Sequence, residues 1–406
     1  MKMSVEDQVQ YLMHGTEYGD DDLKNAMASE LHQRLLEAKR EGRPLRVYCG
    51  YDPRTTDLHL GHTITMRKLR QFQELGHEVT FLIGTYTSLI GDPSDKDILR
   101  PQLGPEQVEL NARTYAEQAY KVLDRDKTIV RYNAEWLSRL NFADLIKLAS
   151  NFTIQQFLTR ENFKIRWEDG DAVYLHETFY AIMQGYDAYA LRADVQVGGT
   201  DQLFNIVTAA RKIMTHLGEK PNIAIITGIL PGTDGVIRMS KSLGNHIPIL
   251  APPADMYGKV MSVPDQAMNQ YAQLVTRWTL AEIAELEAGL VEGRLHPRDV
   301  KMKLAREIVA IFHSDEAALR AEEAFVRVFQ QRDMPEEMPE YRLIPGQTVL
   351  EVLLAGKLVP SKGEGRRMIE QKGVRLDGET LNEANLAFPH PGVLQVGKRR
   401  FLRVIA

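Results

Sequence analysis

The sequence predicts an α/β protein built on a doubly wound parallel sheet, with a helical insertion inside the sheet, a helical stretch after it and a small α+β module at the end. Three observations carry this reading. Short apolar runs at 45–49, 78–83, 128–132, 195–197 and 223–226 alternate with helix-like stretches, the order of a parallel sheet with right-handed crossovers. Between the third and fourth runs, residues 134–191 read as helical almost throughout. After residue 340 the pattern becomes short apolar runs separated by turns at Asp377-Gly378 and Pro391-Gly392.

The elements follow in order. Residues 1–44 read as polar helix, with leucines at 12, 23, 31, 35 and 36 and Gly42-Arg43-Pro44 as the stop. The first strand, 45–49, gives way to a turn at Cys49-Gly50, then to a helix over 64–75 that Gly76 ends. Strand 78–83 leads into the turn-rich loop 85–96, at a strand carboxyl end where open α/β sheets bind ligands. A helix is expected over 106–123 and a strand over 128–132; Trp136, Leu137, Leu140, Leu145, Ile146 and Leu148 mark apolar faces in the insertion. Strand 195–197 runs into Gly198-Gly199-Thr200-Asp201-Gln202, a helix over 203–217 and strand 223–226; helices then occupy 252–331. The acidic, proline-containing stretch 333–340 reads as a linker, giving domains at 1–250, 251–332 and 341–406.

Composition narrows the function. A chain of 406 residues with 44% hydrophobic and 26% charged residues is that of a soluble globular protein of two or three domains. No apolar run reaches membrane-spanning length and no apolar leader opens the chain, so the expectation is a cytoplasmic protein with no membrane partner. Cys49, the single cysteine, cannot form an internal disulfide and excludes a cysteine-based zinc cluster. The net charge of −5 divides unevenly: from Tyr341 onward eleven Lys/Arg face six acids, a tail of +5 on a body of −10. A basic module on an acidic body fits a localised nucleic-acid contact, and equally a solvated charged face.

Several clusters carry possible chemistry. His59 and His62, three apart at a helix start, would face one side, where their protons and free backbone N–H groups can stabilise a transferring phosphoryl group; alone, such a pair also fits a helix cap. Gly61 between them leaves room for a purine, and no zinc spacing accompanies them, so no metal ligand is expected. Arg238-Met239-Ser240-Lys241-Ser242 lies on a loop where Lys241 can reach phosphates; by itself it is an ordinary surface loop. In the turn after the fourth strand, Gly199 permits close backbone approach and Asp201 can accept ribose hydroxyl protons, or the turn is a helix cap with Thr200 and Asp201 as caps. Tyr180, Gln184 and Asp187 occupy one helical face; a buried carboxylate at 187 needs a donor, which a substrate phenol can supply, with Tyr48 offering a second hydroxyl. A polar stripe on a solvated helix has the same spacing.

The pair His59-Leu60-Gly61-His62 and Arg238-Met239-Ser240-Lys241-Ser242, in this order and with matching sheet contexts, resembles the two signatures of class I aminoacyl-tRNA synthetases. The flanking residues resemble the bacterial tyrosyl-tRNA synthetases of the shorter, second type, from about residue 5 to the end. The resemblance implies a Rossmann-like catalytic domain, adenylate formation from ATP accompanied by Mg²⁺, and transfer of tyrosine to tRNA(Tyr). It also implies a homodimer joined through the 134–191 insertion. By the same resemblance Tyr48 and Asp187 bind the substrate hydroxyl; Asp92, Tyr180 and Gln184 hold the ammonium; Gln202 lies beside the carboxylate; and Asp201 binds the ribose. Arg54 stands where many members have Thr, and Thr85 where an acid is common, which leaves the role of each open.

Residues 361–381 resemble an S4-like RNA-binding domain, with Ser361, Lys362, Arg366, Arg367 and Lys372 as candidate tRNA phosphate contacts and Lys398-Arg399-Arg400 as an extension; Gly365 replaces the usual Ala. Two other readings stand beside the tyrosine enzyme. A tryptophan-specific synthetase would share both ATP signatures but lack the Tyr48/Asp187 pair, and a non-catalytic RNA-binding protein of the same fold would have no use for His59, His62, Asp201 and Lys241.

Overall fold

In a computed structural model, described here for residues 3–53, 57–93, 104–329, 338–397 and 400–406, the chain forms two compact units, Met1–Ala318 and Leu319–Ala406. The first opens with α1 (Val5–Met13), capped reciprocally by Ser4 and Asp7, and α2 (Asp21–Glu41), capped by Asp20 and ended by Gly42 at φ 67°. Then come β1 (Arg46–Tyr51), α3 (Leu60–Glu74), β2 (Glu78–Ile83), α4 (Pro105–Ala119) and β3 (Thr128–Tyr132). The insertion is five helices: α5 (Ala134–Leu137), α6 (Phe142–Ala149), α7 (Ile154–Leu158), α8 (Glu161–Glu168) and α9 (Leu175–Ala190). β4 (Val195–Gly199), α10 (Arg211–His216) and β5 (Ile223–Thr227) complete the sheet.

All pairings in this sheet are parallel and the order is β3-β2-β1-β4-β5, so the winding reverses at β1. That reversal makes a crevice at the strand carboxyl ends. Its opening is visible in the register. β1 pairs with β2 as far as Tyr51↔Ile83, but with β4 only at Val47↔Val195 and Tyr48↔Gln196. Beyond Tyr48 the two central strands part. Beneath, Tyr48, Leu82, Ala188, Ala193, Ala210 and Met214 form a buried cluster that seats α9 on the sheet, and a second cluster around Phe157, Phe163, Ile182 and Ile213 ties the insertion to α9 and α10.

The differences from expectation have physical reasons. Gly50 is not a turn but lies within β1, which runs on to Tyr51 because β2 pairs with it all the way. α3 starts at Leu60, four residues early, because His59 caps it. The helix expected over 203–217 is wide-turned over Phe204–Ala210 before tightening into α10. α4 stops at Ala119, short of the 123 expected.

The first unit continues with α11 (Pro253–Met261), α12 (Met268–Val275), α13 (Leu280–Val291) and α14 (Pro297–Phe312), which pack on one another and, through α12, on α3. These helices, grouped above within 251–332, fall inside that unit, and α15 (Asp315–Phe329) runs across its boundary. The second unit contains β6 (Glu340–Arg342), α16 (Val349–Ala355), α17 (Lys362–Glu370), β7 (Val374–Leu376), β8 (Glu379–Thr380), β9 (Gly392–Val396) and β10 (Arg400–Ile405). Its sheet order is β6-β10-β9-β7-β8 over a core of Val349, Val352, Leu353, Ile369, Leu394 and Leu402. Arg54, Lys398, Arg399 and most of the linker lie outside the described residues.

Candidate active site

A cavity of about 500 Å³ occupies the crevice between β1 and β4, and its wall includes every residue singled out from the signature motifs and the substrate pocket. Tyr48, Asp92, Tyr180, Gln184, Asp187 and Gln202 line one part; His59, Gly61, His62, Gly199, Asp201 and Lys241 line the other.

The two histidines are placed by the helix they begin. His59 is the N-cap of α3: its Nδ1 accepts from the Gly61 N–H at 3.2 Å, while the His62 Nδ1 accepts from the His59 N–H at 3.3 Å. Each neutral ring therefore carries its proton on Nε2. Burial pulls the His59 pKa down to about 2, with His62, His246 and Arg238 adding to it, and burial pulls His62 down to about 4. Both rings are neutral donors, 4.0 Å apart between centroids. The free N–H cradle expected at this helix start is not formed: Leu60 N bonds Ile247 O, Gly61 N the His59 ring and His62 N the His59 carbonyl. Gly61 packs close to the His59 ring, where a Cβ would lie 3.0 Å from Cε1 and the ring would have to shift.

Asp187 sits fully buried on α9. It accepts from Trp136 Nε1–H at 2.7 Å and from Asn133 Nδ2–H at 3.2 Å. The donor expected from a substrate is thus already joined by two from the chain itself. Burial raises its pKa to about 8 against those two bonds, with Asp52 also raising it. Tyr48, on β1, is pushed well above the ordinary phenol range by burial and by Asp187; its hydroxyl points to the Gln184 carbonyl at 3.5 Å. Gln184 Oε1 is buried with no hydrogen-bond partner among the described residues, an acceptor facing a ligand cavity.

Tyr180 donates to Asp52 Oδ2 at 3.0 Å, and Thr87 donates to Asp52 Oδ1 at 2.7 Å. Gln202 Nε2–H donates to Asp92 at 2.5 Å and to Asp201 at 3.2 Å. Neither Thr200 nor Asp201 caps the following turn. Gly199 is confined by its neighbour, because a Cβ would fall 2.6 Å from Asp201 Oδ1. Across the mouth, Lys241 Nζ pairs with Asp57 at 2.9 Å, both half exposed, and Asn245 holds the loop by accepting from Ser240 N. No group of three or more His, Cys, Asp or Glu side chains among the described residues is placed to hold a metal ion.

Sequence reasoning missed Asp52 and Asn133, which line the cavity, and Trp136, which bonds Asp187. Asp52 and Asn133 each directly follow a strand carboxyl end, a usable signal; Trp136 was read only as an apolar marker. In the second unit Ser361, Lys362, Arg366, Arg367 and Lys372 are all exposed on or beside α17. Arg400 bonds the Leu358 carbonyl and Glu364 of α17, with its side chain still partly exposed.

The family model for tRNA synthetases class I (W and Y) matches residues 39–330. The chain belongs to this family. A tyrosine–tRNA ligase of Moorella thermoacetica is 47% identical over 378 residues, 92% of this chain and 91% of that protein, and one of Thermotoga maritima is 45% identical over 368 residues, 90% and 91%. Among solved structures, the tyrosyl-tRNA synthetase of Archaeoglobus fulgidus complexed with L-tyrosine covers 79% of this chain and 100% of its own at TM-score 0.61 and 23% identity. A Plasmodium falciparum tryptophanyl-tRNA synthetase aligns at TM-score 0.55 and 13% identity over 72% of this chain and 80% of its own. At those identities both show only the shared fold. As a class I synthetase of this group, the chain is an ATP-dependent ligase whose nucleotide signatures line one cavity.

Proposed function

We propose that this chain is a tyrosine–tRNA ligase, forming tyrosyl-adenylate and pyrophosphate from L-tyrosine and ATP and then passing tyrosyl to the 3′ end of tRNA(Tyr). One observation carries the choice of amino acid: the buried Tyr48/Asp187 pair at the cavity floor, with Trp136 and Asn133 holding the carboxylate. A phenol hydroxyl can join this set as a further donor and acceptor; a phenylalanine ring brings neither to it, and an indole has no hydroxyl at that position. The curated relatives quoted above bear the same name.

In the first step the tyrosine carboxylate oxygen bonds to the α-phosphorus and the bond to the β-phosphate bridging oxygen breaks, releasing pyrophosphate. His59 and His62 aim Nε2–H at the charge that builds there, and Lys241 leaves Asp57 to follow the phosphates; no protein nucleophile takes part. Asp92, Tyr180 and Gln184 hold the ammonium, Gln202 lies beside the carboxylate, and Asp201 takes the ribose. Mg²⁺ would accompany ATP and offset the charge of its phosphates. In the second step a terminal ribose hydroxyl attacks the tyrosyl carbonyl and AMP leaves. Ser361, Lys362, Arg366, Arg367 and Lys372 grip tRNA phosphates elsewhere. A homodimer is supported by exposed Phe142, Ile146, Ile154, Trp167, Tyr174 and Leu175, all within the insertion. Among the described residues no helix is long and apolar enough to cross a membrane.

The test is amino-acid-dependent ATP–pyrophosphate exchange with tyrosine, phenylalanine and tryptophan, on the intact protein and on Asp187→Ala. Exchange with tyrosine alone, collapsing in the variant, is expected. Exchange with tryptophan would overturn the substrate, and none with any amino acid would leave an RNA-binding protein.

A further inference from the structure

A second cavity, of about 490 Å³, lies along another face of α3, formed by Ile64, Arg67, Lys68 and Gln71 at helical spacing. α1 and the start of α13 close it, with Trp278 and Leu274 as its flat apolar wall. It is separate from the catalytic cavity but shares Ile64 and Thr227 with it. Its volume is that of a small-molecule site.

The charges around it are unevenly satisfied. Lys68 Nζ donates to the carbonyls of Leu12 and His14 at 2.9 and 2.8 Å. Arg277 is held by Glu307, Glu74 receives the Tyr11 hydroxyl and Arg70, and Asp7 is taken up in the cap of α1. Arg67 is the exception: its largely buried guanidinium makes no hydrogen bond or ion pair with any described residue. Glu307, Tyr11 and Glu74 act on its charge without a hydrogen bond to it. A desolvated guanidinium with its planar fork of N–H donors open is complementary to a carboxylate or phosphate.

We propose that this cavity binds a small oxyanion, a carboxylate or a phosphate monoester, carried on a flat apolar body. The oxyanion bonds Arg67 in bidentate fashion and the body lies against Trp278 and Leu274. Nothing in the adenylation chemistry uses these residues, so the inference does not depend on the amino acid activated.

Crystals soaked in millimolar 4-bromobenzoate or 4-bromophenyl phosphate test it, because the bromine anomalous signal locates the ligand. Expected is a peak beside Trp278 with the oxyanion on Arg67, and loss of that peak in Arg67→Gln. Should that variant not fold, Gln71→Glu serves instead: it gives Arg67 a carboxylate from its own helix and is expected to exclude the ligand while keeping the fold. A peak with only one compound decides between carboxylate and phosphate. No peak with either, or a peak that persists in the variants, overturns the proposal.

Discussion

Asp187 shows how one side chain can be held by opposing forces. Burial favours its neutral form, while the Trp136 and Asn133 bonds favour the charged one, and burial wins, leaving a pKa of about 8. The unfolded chain loses the same proton near 3.8, the ordinary aspartate value. Folding therefore gains from that proton fully below about pH 4, and the gain drains away as pH rises to about 8. Unfolding free energies of the intact protein and of Asp187→Asn, measured by denaturant titration across this range, should differ by an amount that falls with rising pH and levels off above about 8. A difference that stays flat would show that the carboxyl is already ionised at low pH. Nothing in the spacing of Tyr180, Gln184 and Asp187 foretold this. Periodicity reports which face a residue shares, but the donors that bond its carboxylate, Asn133 just after β3 and Trp136 in α5, lie more than fifty residues away in sequence.

α3 is the element on which capping and chemistry coincide. His59 accepts from the Gly61 N–H as a cap and is proposed to donate to phosphate through its other nitrogen. His59→Asn separates the two roles, because asparagine caps well. Its melting temperature should match the intact protein, while tyrosine-dependent exchange falls roughly 10²–10³-fold, the usual effect of losing one donor to developing charge. His59→Ala should lose activity equally and also about 1 kcal/mol of stability. If Asn were as unstable as Ala, packing against His62 and His246 would outweigh the cap. The strands were the most legible elements: 78–83 and 128–132 match residue for residue, the first as an apolar run buried along nearly all its length, the second as a β-branched edge strand between clear turns. Helix ends were less so. The start of α3 is set by a histidine cap, and the widened turn at Phe204–Ala210 has no sequence mark.

At the scale of the molecule, the insertion exposes aromatic and branched side chains that a lone subunit would leave in water; Phe142 is 77% and Leu175 64% exposed. Sedimentation should find a dimer, and Phe142→Glu with Leu175→Glu should turn it into monomers with lower exchange activity. A native protein that sediments as a monomer would sink the dimer. Exposed apolar positions can be seen only once the fold shows which face is outward, which is why the sequence could offer dimerisation by resemblance alone. The order of the parallel sheet has a further consequence during synthesis. β1 pairs with β2 nearby in the chain, but its other edge waits for β4, where Val47 meets Val195. At ribosomal speeds that is on the order of ten seconds in which a strand of Val47, Tyr48 and Cys49 presents an unpaired edge. The nascent chain is thus most prone to aggregate, and most in need of chaperone cover, before the strand that opens the substrate crevice has been made.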